Sequence, residues 1–339
     1  MKKIKIVDTT MRDGSHAIKH QYTPEMVYRI AHALDTHKVD MIEVSHGDGI
    51  AGSSINYGFG KSEETELLKA ARAAIRKADL AILLLPGIGT IEDMKRARDA
   101  GVTTVRVATH VTEADIAVQH LKEGKLLGMK TAGFLMMTHM ASPEAILEQC
   151  RIFADCGVDY INLADSAGYM TPDMVKERIS VLKSGLDVPI GFHAHNNLGL
   201  AVANAMAAAG EGAEYLDVTL RGLGAGAGNA QSEVLCSVLQ REGYDIAADS
   251  YGLMDAAEEL VDPIMLRPQV IDTASLMLGY AGVYSSFLLH TYRAAERFGL
   301  NPRDILVEIG RRKMVGGQED MIIDVAYALS EKKKAEGER

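Results

Sequence analysis

The stretch Ile6-Val-Asp-Thr-Thr-Met-Arg-Asp-Gly-Ser-His16 opens as an apolar strand and runs into a loop carrying Arg12, Asp13 and His16. A cation, a carboxylate and an imidazole thus fall close together just past a strand end. Such a set needs a partner elsewhere in the chain, and His193-Ala-His195 supplies one. In an extended strand, residues two apart share a face, so both imidazoles can reach one point. With Asp13 they form two histidines and a carboxylate, a facial set for a divalent metal that leaves coordination positions open. Mn²⁺, Fe²⁺, Co²⁺ and Zn²⁺ all suit two nitrogens and one oxygen.

Outward from this stretch, short apolar runs alternate with helical patterns. The strands are expected at Ile4–Asp8, Met41–Ser45, Leu80–Leu85, Thr104–Thr109, Thr131–Met136, Tyr160–Ala164, Pro189–His193 and Tyr215–Thr219. Thr23-Pro24-Glu25, Ser142-Pro143-Glu144 and Thr171-Pro172-Asp173 read as helix starts: N-cap, proline at the first position, then an acid. Gly101, Gly157 and Gly212 sit where helices end and strands begin. Eight such units predict a (β/α)8 TIM barrel, in which strands one and seven lie near each other. A doubly wound sheet is the alternative, but no GxGxxG follows the first strand.

In such barrels the chemistry gathers at the C-terminal strand ends. Those ends carry Asp8 and the Arg12–His16 loop, Glu43, Ser45 and His46, Thr109 and His110, Thr138 and His139, Asp165 and Ser166, the two histidines, then Asp217, Thr219 and Arg221. Beyond about Asp249 strand runs stop, and helical segments are expected near Leu253–Val261, Ser285–Phe298, Pro302–Arg311 and Gln318–Leu329. The expected division is a barrel over 1–250, a small helical domain over 251–330 and a charged, frayed tail over 331–339.

The 339 residues carry a net charge of −10, which argues against a general nucleic-acid binder. Cys150, Cys156 and Cys236 show no metal-binding spacing and read as reduced thiols of a cytoplasmic protein. The amino terminus lacks a secretion signal, and no apolar run approaches the roughly 20 residues of a membrane span.

Arg12 can aim a permanent cation at negative charge developing on an oxygen. His16 has the side chain for a general base near neutral pH. Ser166 can hydrogen-bond a substrate carboxylate, although a capping role would also explain it. Glu43, His46, His110 and His139 could support the site from behind, and Leu83-Leu-Leu85-Pro86 could wall it. Gly222-Leu-Gly-Ala-Gly-Ala-Gly-Asn229 is either a tight turn or a weak phosphate loop, with Asn229 as a further ligand or a supporting partner. Tyr280, Tyr284 and Tyr292 read by default as core residues of the helical region, and one of them could fold back over the barrel mouth.

Thr10-Met-Arg-Asp-Gly14, the His193–His195 pair and the glycine-rich Gly222–Asn229 resemble the DRE-TIM metallolyase group of carbon–carbon lyases and condensing enzymes. Asp-Thr-Thr-Met-Arg-Asp-Gly-Ser-His-Ala17 and Leu85-Pro-Gly-Ile-Gly-Thr90 are most similar to its 4-hydroxy-2-oxovalerate aldolase family, over nearly the whole chain. Met11 and the Gly14-Ser15-His16 continuation depart from the loop usual in the synthases of the group.

The resemblance implies a class II aldolase of aromatic-compound (meta-cleavage) catabolism, cleaving 4-hydroxy-2-oxopentanoate to pyruvate and acetaldehyde. It implies Mn²⁺ on Asp13, His193 and His195, enolate stabilisation by Arg12, and His16 as base. Substrate would meet Arg12, Asp13, Ser166, His193 and Tyr284. It also implies a heterotetramer with an acylating acetaldehyde dehydrogenase, the aldehyde passing through a tunnel that Gly316 and Gly317 could line. A Claisen-type synthase using an acyl-CoA and a 2-oxo acid shares the metal set and is the alternative, although no basic cluster for CoA stands out. An iron-dependent oxygenase and a non-catalytic binding subunit are more distant readings.

Overall fold

The eight apolar runs become eight parallel strands: β1 (Lys3–Met11), β2 (Met41–Val44), β3 (Asp79–Leu84), β4 (Thr104–His110), β5 (Lys130–Met136), β6 (Tyr160–Asp165), β7 (Ile190–Ala194) and β8 (Tyr215–Val218). In this computed structural model, which describes residues 3–285, 287–315 and 318–337, they close into a barrel. Closure runs through β1, where Val7 stands opposite Met41 of β2 and Asp217 of β8. A short β9 (Asp245–Ile246), not expected from the sequence, extends the start of β1.

Helices α1 (Pro24–Thr36), α2 (Glu64–Ala74), α3 (Ile91–Asp99), α4 (Val118–Leu126), α5 (Pro143–Asp155), α6 (Pro172–Gly185), α7 (Ala201–Gly210) and α8 (Ser232–Arg241) follow the strands in turn. Thr23 and Ser142 cap their helices through the side chain, whereas Thr171 stands at the N-cap of α6 without such a bond. Gly101, Gly157 and Gly212 all have positive φ, the conformation that lets the chain leave each helix and turn into the next strand.

Strand alternation sorts the side chains. Ile42, Val44, Ile161, Leu163, Ile190 and Phe192 face the helices in the main core. Val7, Met41, Ala81, Ala132, Tyr160 and Tyr215 fill the barrel floor, and Leu83, Ala108, Phe134 and Ala164 form a separate apolar cluster. Polar residues on the same inward-facing rows include Glu43, Arg106, Asn162, His193 and Asp217, all buried.

Beyond the barrel, α9 (Ser250–Ala256) and a π-turn (Ala257–Val261) bury Leu253, Ala257 and Val261 in the barrel's own core, although the sequence groups this segment with the helical end. Then α10 (Thr273–Ala281), α11 (Phe287–Phe298), α12 (Pro302–Arg311) and α13 (Ile322–Gly337) enclose a second core around Phe287, Ile305, Ile309 and Val325. The sequence reading missed α10, whose apolar residues show little one-sided periodicity. It also expected a frayed tail from 331, but α13 continues to Gly337. Its Glu, Lys and Ala are strong helix formers, and Lys334 pairs with Glu331 at 2.7 Å.

Candidate active site

The first strand runs three residues further than its apolar pattern suggests. Its register with β2 shifts between Asp8 and Met11, an irregularity that precedes Arg12 and Asp13 directly. Asp8 itself lies outside the site: its carboxylate accepts from Thr10 N–H (2.9 Å) and the Ser232 hydroxyl (2.9 Å), and burial pushes its pKa up to about 6. A short 3₁₀ helix, Asp13–Ile18, follows. Asp13 opens this helix, and the His16 ring on it packs against the Gly47 backbone.

Asp13 Oδ2 is the focus of the site. It lies 3.1 Å from His193 Nε2 and 3.5 Å from His195 Nε2, while the two Nε2 atoms are 3.3 Å apart. The other oxygen, Oδ1, is held by Ala225 N–H at 3.3 Å, so the glycine-rich turn fixes the carboxylate from behind. Burial opposes the charge on Asp13, but Arg12, then His195 and His193, hold its carboxyl well below the usual carboxylate range. Burial lowers both histidines; Asp13 and Asp217 outweigh it for His193, which rises, while His195 stays below its ordinary value.

These donors fit a divalent cation. Ligands roughly 2.1 Å from one ion are about 3.0 Å apart at right angles and about 3.4 Å apart in a tetrahedron, and the three observed separations, 3.1, 3.3 and 3.5 Å, lie within about 0.1 Å of that range. Behind His193, Nδ1 meets Asp217 Oδ2 at 2.9 Å, the carboxylate support typical of a metal-binding imidazole. Asn229 stands opposite His195 in a backbone bridge, and its Oδ1 is buried without a partner.

A chain of ion pairs extends from this point. Arg12 donates through Nη1 to Asp13 (3.0 Å) and through Nε to Glu43 Oε2 (2.7 Å). Arg106, fully buried on β4, donates to Glu43 Oε1 (3.0 Å) and to Asp217 Oδ2 (2.5 Å). Asp217 returns to His193 and His193 to Asp13, so the ring closes. Arg12 Nη2 is buried and takes no part in it. An unsatisfied guanidinium N–H is costly, and a substrate oxygen would satisfy it.

The remaining expected residues divide. His16, half-buried, lies with its ring 5.1 Å from His20, which stacks on His46 at 3.7 Å. Burial and these neighbours push His20 down to about 3. Ser166 Oγ accepts from Met137 N–H at 3.0 Å, leaving its own proton to donate. Asp165 is structural: it accepts from Tyr169 and Met170 N–H. Arg221 turns away to Asp262, at 2.7 and 2.6 Å, and His110 bonds Thr112 at 2.9 Å. Leu83 and Phe134, with Leu85 and Met136, make an apolar wall, and Phe134 lies 5.8 Å from the His193 ring.

Gly222, Gly226 and Gly228 take positive φ, the tight-turn alternative for this segment. The sequence reading missed Asn197, which latches that turn by accepting from Ala227 N–H at 2.9 Å and donating to Ala167 O at 2.9 Å. It also missed Arg106. An arginine amid the apolar run Thr-Val-Arg-Val-Ala was the available signal, since a buried charge demands partners.

The helical end covers this face. His139 Nε2 donates to Gly282 O (3.1 Å), Lys313 to Met140 O (3.2 Å) and Gln269 to Gly224 O (3.5 Å). Gly279 of α10 sits so close to Asn197, Leu198 and Gly168 that a methyl group would clash. Tyr284, half-buried in the helical core, is raised above the ordinary tyrosine range by burial and by Glu113 on the loop after β4. Gly316 and Gly317 lie outside the described residues. No helix among the described residues is long and apolar enough to cross a membrane.

Residues 3–261 match the HMGL-like family profile and residues 269–331 the DmpG-like communication domain. The chain is 62% identical over 332 residues to a 4-hydroxy-2-oxovalerate aldolase of Moorella thermoacetica, covering 98% of each. It is 56% identical over 333 residues to one of Carboxydothermus hydrogenoformans, covering 98% of this chain and 99% of that one. The HMG-CoA lyase of Brucella melitensis shares the fold, with a TM-score of 0.68 at 17% identity over 79% of this chain and all of that one. A barrel with its charged ring on one face, closed by a helical cover, joins full-length similarity to these enzymes: the chain belongs to the 4-hydroxy-2-oxovalerate aldolase family of carbon–carbon lyases.

Proposed function

We propose that this aldolase cleaves 4-hydroxy-2-oxopentanoate to pyruvate and acetaldehyde with the help of Mn²⁺. One observation carries the reading: Asp13 Oδ2, His193 Nε2 and His195 Nε2 converge within 3.5 Å beside an arginine with a free N–H. Asp13, His193 and His195, with Asn229 beside them, would hold a divalent ion, which would supply Lewis-acid chemistry to the 2-oxo acid.

The chain's own residues do the rest. His16 takes the proton from the C4 hydroxyl, directly or through water. As the C3–C4 bond breaks, its electrons move to the C2 oxygen, where Arg12 Nη2 donates a charged hydrogen bond. Ser166 donates to the substrate carboxylate, and Tyr284 closes the pocket from the helical side. Protonation at C3 completes pyruvate. No lysine Schiff base is needed.

The match to a communication domain supports partnership with an acylating acetaldehyde dehydrogenase, assembled as a heterotetramer that receives the aldehyde directly. Contact between the helical end and loops around the site is consistent with such transfer. We assign the pathway to cytoplasmic degradation of aromatic compounds, with the barrel, including the 250–261 segment packed in its core, catalytic and the helices beyond it for communication.

The test is pyruvate release from 4-hydroxy-2-oxopentanoate with Mn²⁺, before and after chelation. Chelation should abolish cleavage, Mn²⁺ should restore it, and borohydride should trap no adduct. Cleavage that persists without metal, or a lysine adduct, refutes the mechanism. Turnover of acetyl-CoA with a 2-oxo acid would favour the synthase alternative.

A further inference from the structure

One carboxylate serves two guanidinium groups. Glu43 gives Oε2 to Arg12 Nε (2.7 Å) and Oε1 to Arg106 Nη1 (3.0 Å). An arginine and a carboxylate left to themselves commonly form a two-bond fork. Here neither arginine obtains that fork from Glu43, because the other holds the second oxygen. Both side chains of the Arg106–Glu43 pair are fully buried, so no bulk water competes. The other terminal nitrogen of Arg106, Nη2, is fixed in turn by Asp217.

We propose that Arg106 is a positioning residue that keeps Glu43 from closing onto Arg12, and so keeps Arg12 Nη2 free for the substrate oxygen. The inference rests on the reading that Arg12 stabilises charge on a 2-oxo acid. Without Arg106, Oε1 of Glu43 loses its cation and turns to the nearest remaining one, Arg12. The resulting two-bond fork takes up Nη2 and withdraws that donor from the substrate oxygen. Arg106 touches neither substrate nor metal; it acts through Glu43 on the donor and through Asp217 on His193.

The test compares Arg106→Gln with the double variant Arg106→Gln/Glu43→Gln, both loaded with Mn²⁺. The single change leaves the Glu43 charge in place and frees it. The double change removes one charge of each sign, so the local charge balance is kept. It also permits the order Arg12 to residue 43 to residue 106 to Asp217, each donating to the next.

For Arg106→Gln the expected result is a kcat lowered about 10²–10³-fold, the usual effect of losing one such donor. KM should move less than about tenfold, since the donor acts mainly on the transition state. A crystal structure should show both Glu43 oxygens on Arg12, and Mn²⁺ binding, read by electron paramagnetic resonance, should persist. The double variant should regain at least tenfold of the lost kcat, a recovery that a purely structural role for Arg106 would not give.

Near-normal kcat in Arg106→Gln, or a folded and metal-loaded double variant no faster than the single one, overturns the proposal. If the single variant does not fold, the double decides: kcat within about tenfold of the unmodified enzyme supports the proposal, and a loss of 10² or more refutes it. If the unmodified chain itself fails to cleave 4-hydroxy-2-oxopentanoate with Mn²⁺, the functional reading has failed instead.

Discussion

Replacing Arg12 by lysine keeps the charge and removes the geometry. The guanidinium makes fixed bonds to Asp13 and Glu43 through two nitrogens and leaves the third, Nη2, unpaired. An ammonium is a point charge on a flexible stem, and between two carboxylates it will sit on them. The donor that the proposed mechanism assigns to the developing oxyanion would then be lost. Losing one such donor costs about 3–4 kcal/mol in the barrier, or roughly 10²–10³ in kcat. Stability should change far less, because the buried cation stays paired with Asp13 and Glu43. The assay is initial-rate pyruvate formation with Mn²⁺ across substrate concentration, with thermal unfolding of the same sample. A folded, metal-loaded Arg12→Lys enzyme with kcat within a few-fold of normal would show that a nearby positive charge suffices, and the reasoning would fail.

Acid should weaken the enzyme through His139, which is held down to about 4, first by burial and further by Arg178, His110 and Lys313, against the pull of Gly282. Its Nε2–H donates to Gly282 O, and Nδ1 is buried without a partner. Between pH 6.5 and about 4 the unfolded chain binds this proton and the folded one does not. Stability from this group is therefore complete above about 6.5 and is lost as pH falls, by at most about 3 kcal/mol for this half-buried ring. His139→Gln keeps a donor for Gly282, so its Tm should fall less steeply between pH 7 and 4.5; parallel curves would refute the assignment. Separately, a methyl group on Gly133 of β5 would lie 2.1 Å from the Phe153 ring, which is wholly buried. Gly133→Ala should cost about 1–3 kcal/mol by overpacking and lower Tm by several degrees; an unchanged Tm would show that Phe153 yields freely.

Much of the site was legible because its parts are local. A carboxylate after the first strand and two histidines two residues apart on the seventh announce themselves through spacing alone, and the barrel brings them together. Capping signals such as Thr23-Pro24 and Ser142-Pro143 work the same way, through bonds to a backbone N–H three residues on. Other strand-end groups misled, because an end residue can point outward or cap a turn. Asp8, Asp165 and Arg221 spend their hydrogen bonds on Ser232, on the Tyr169–Met170 backbone and on Asp262.

Alternation, glycine placement and helix starts point to the eight-unit barrel from the amino-acid order, and the two-residue spacing of His193 and His195 marks them as a pair, because each of these signals depends on neighbours a few residues away. Which carboxylate meets which arginine depends on separations of 63 residues for Glu43 and Arg106 and 111 for Arg106 and Asp217. No local pattern encodes such pairings. Only the closed barrel, by turning these side chains into one dry interior, decides that Arg12 keeps a donor to spare and that the helical end comes to rest over it.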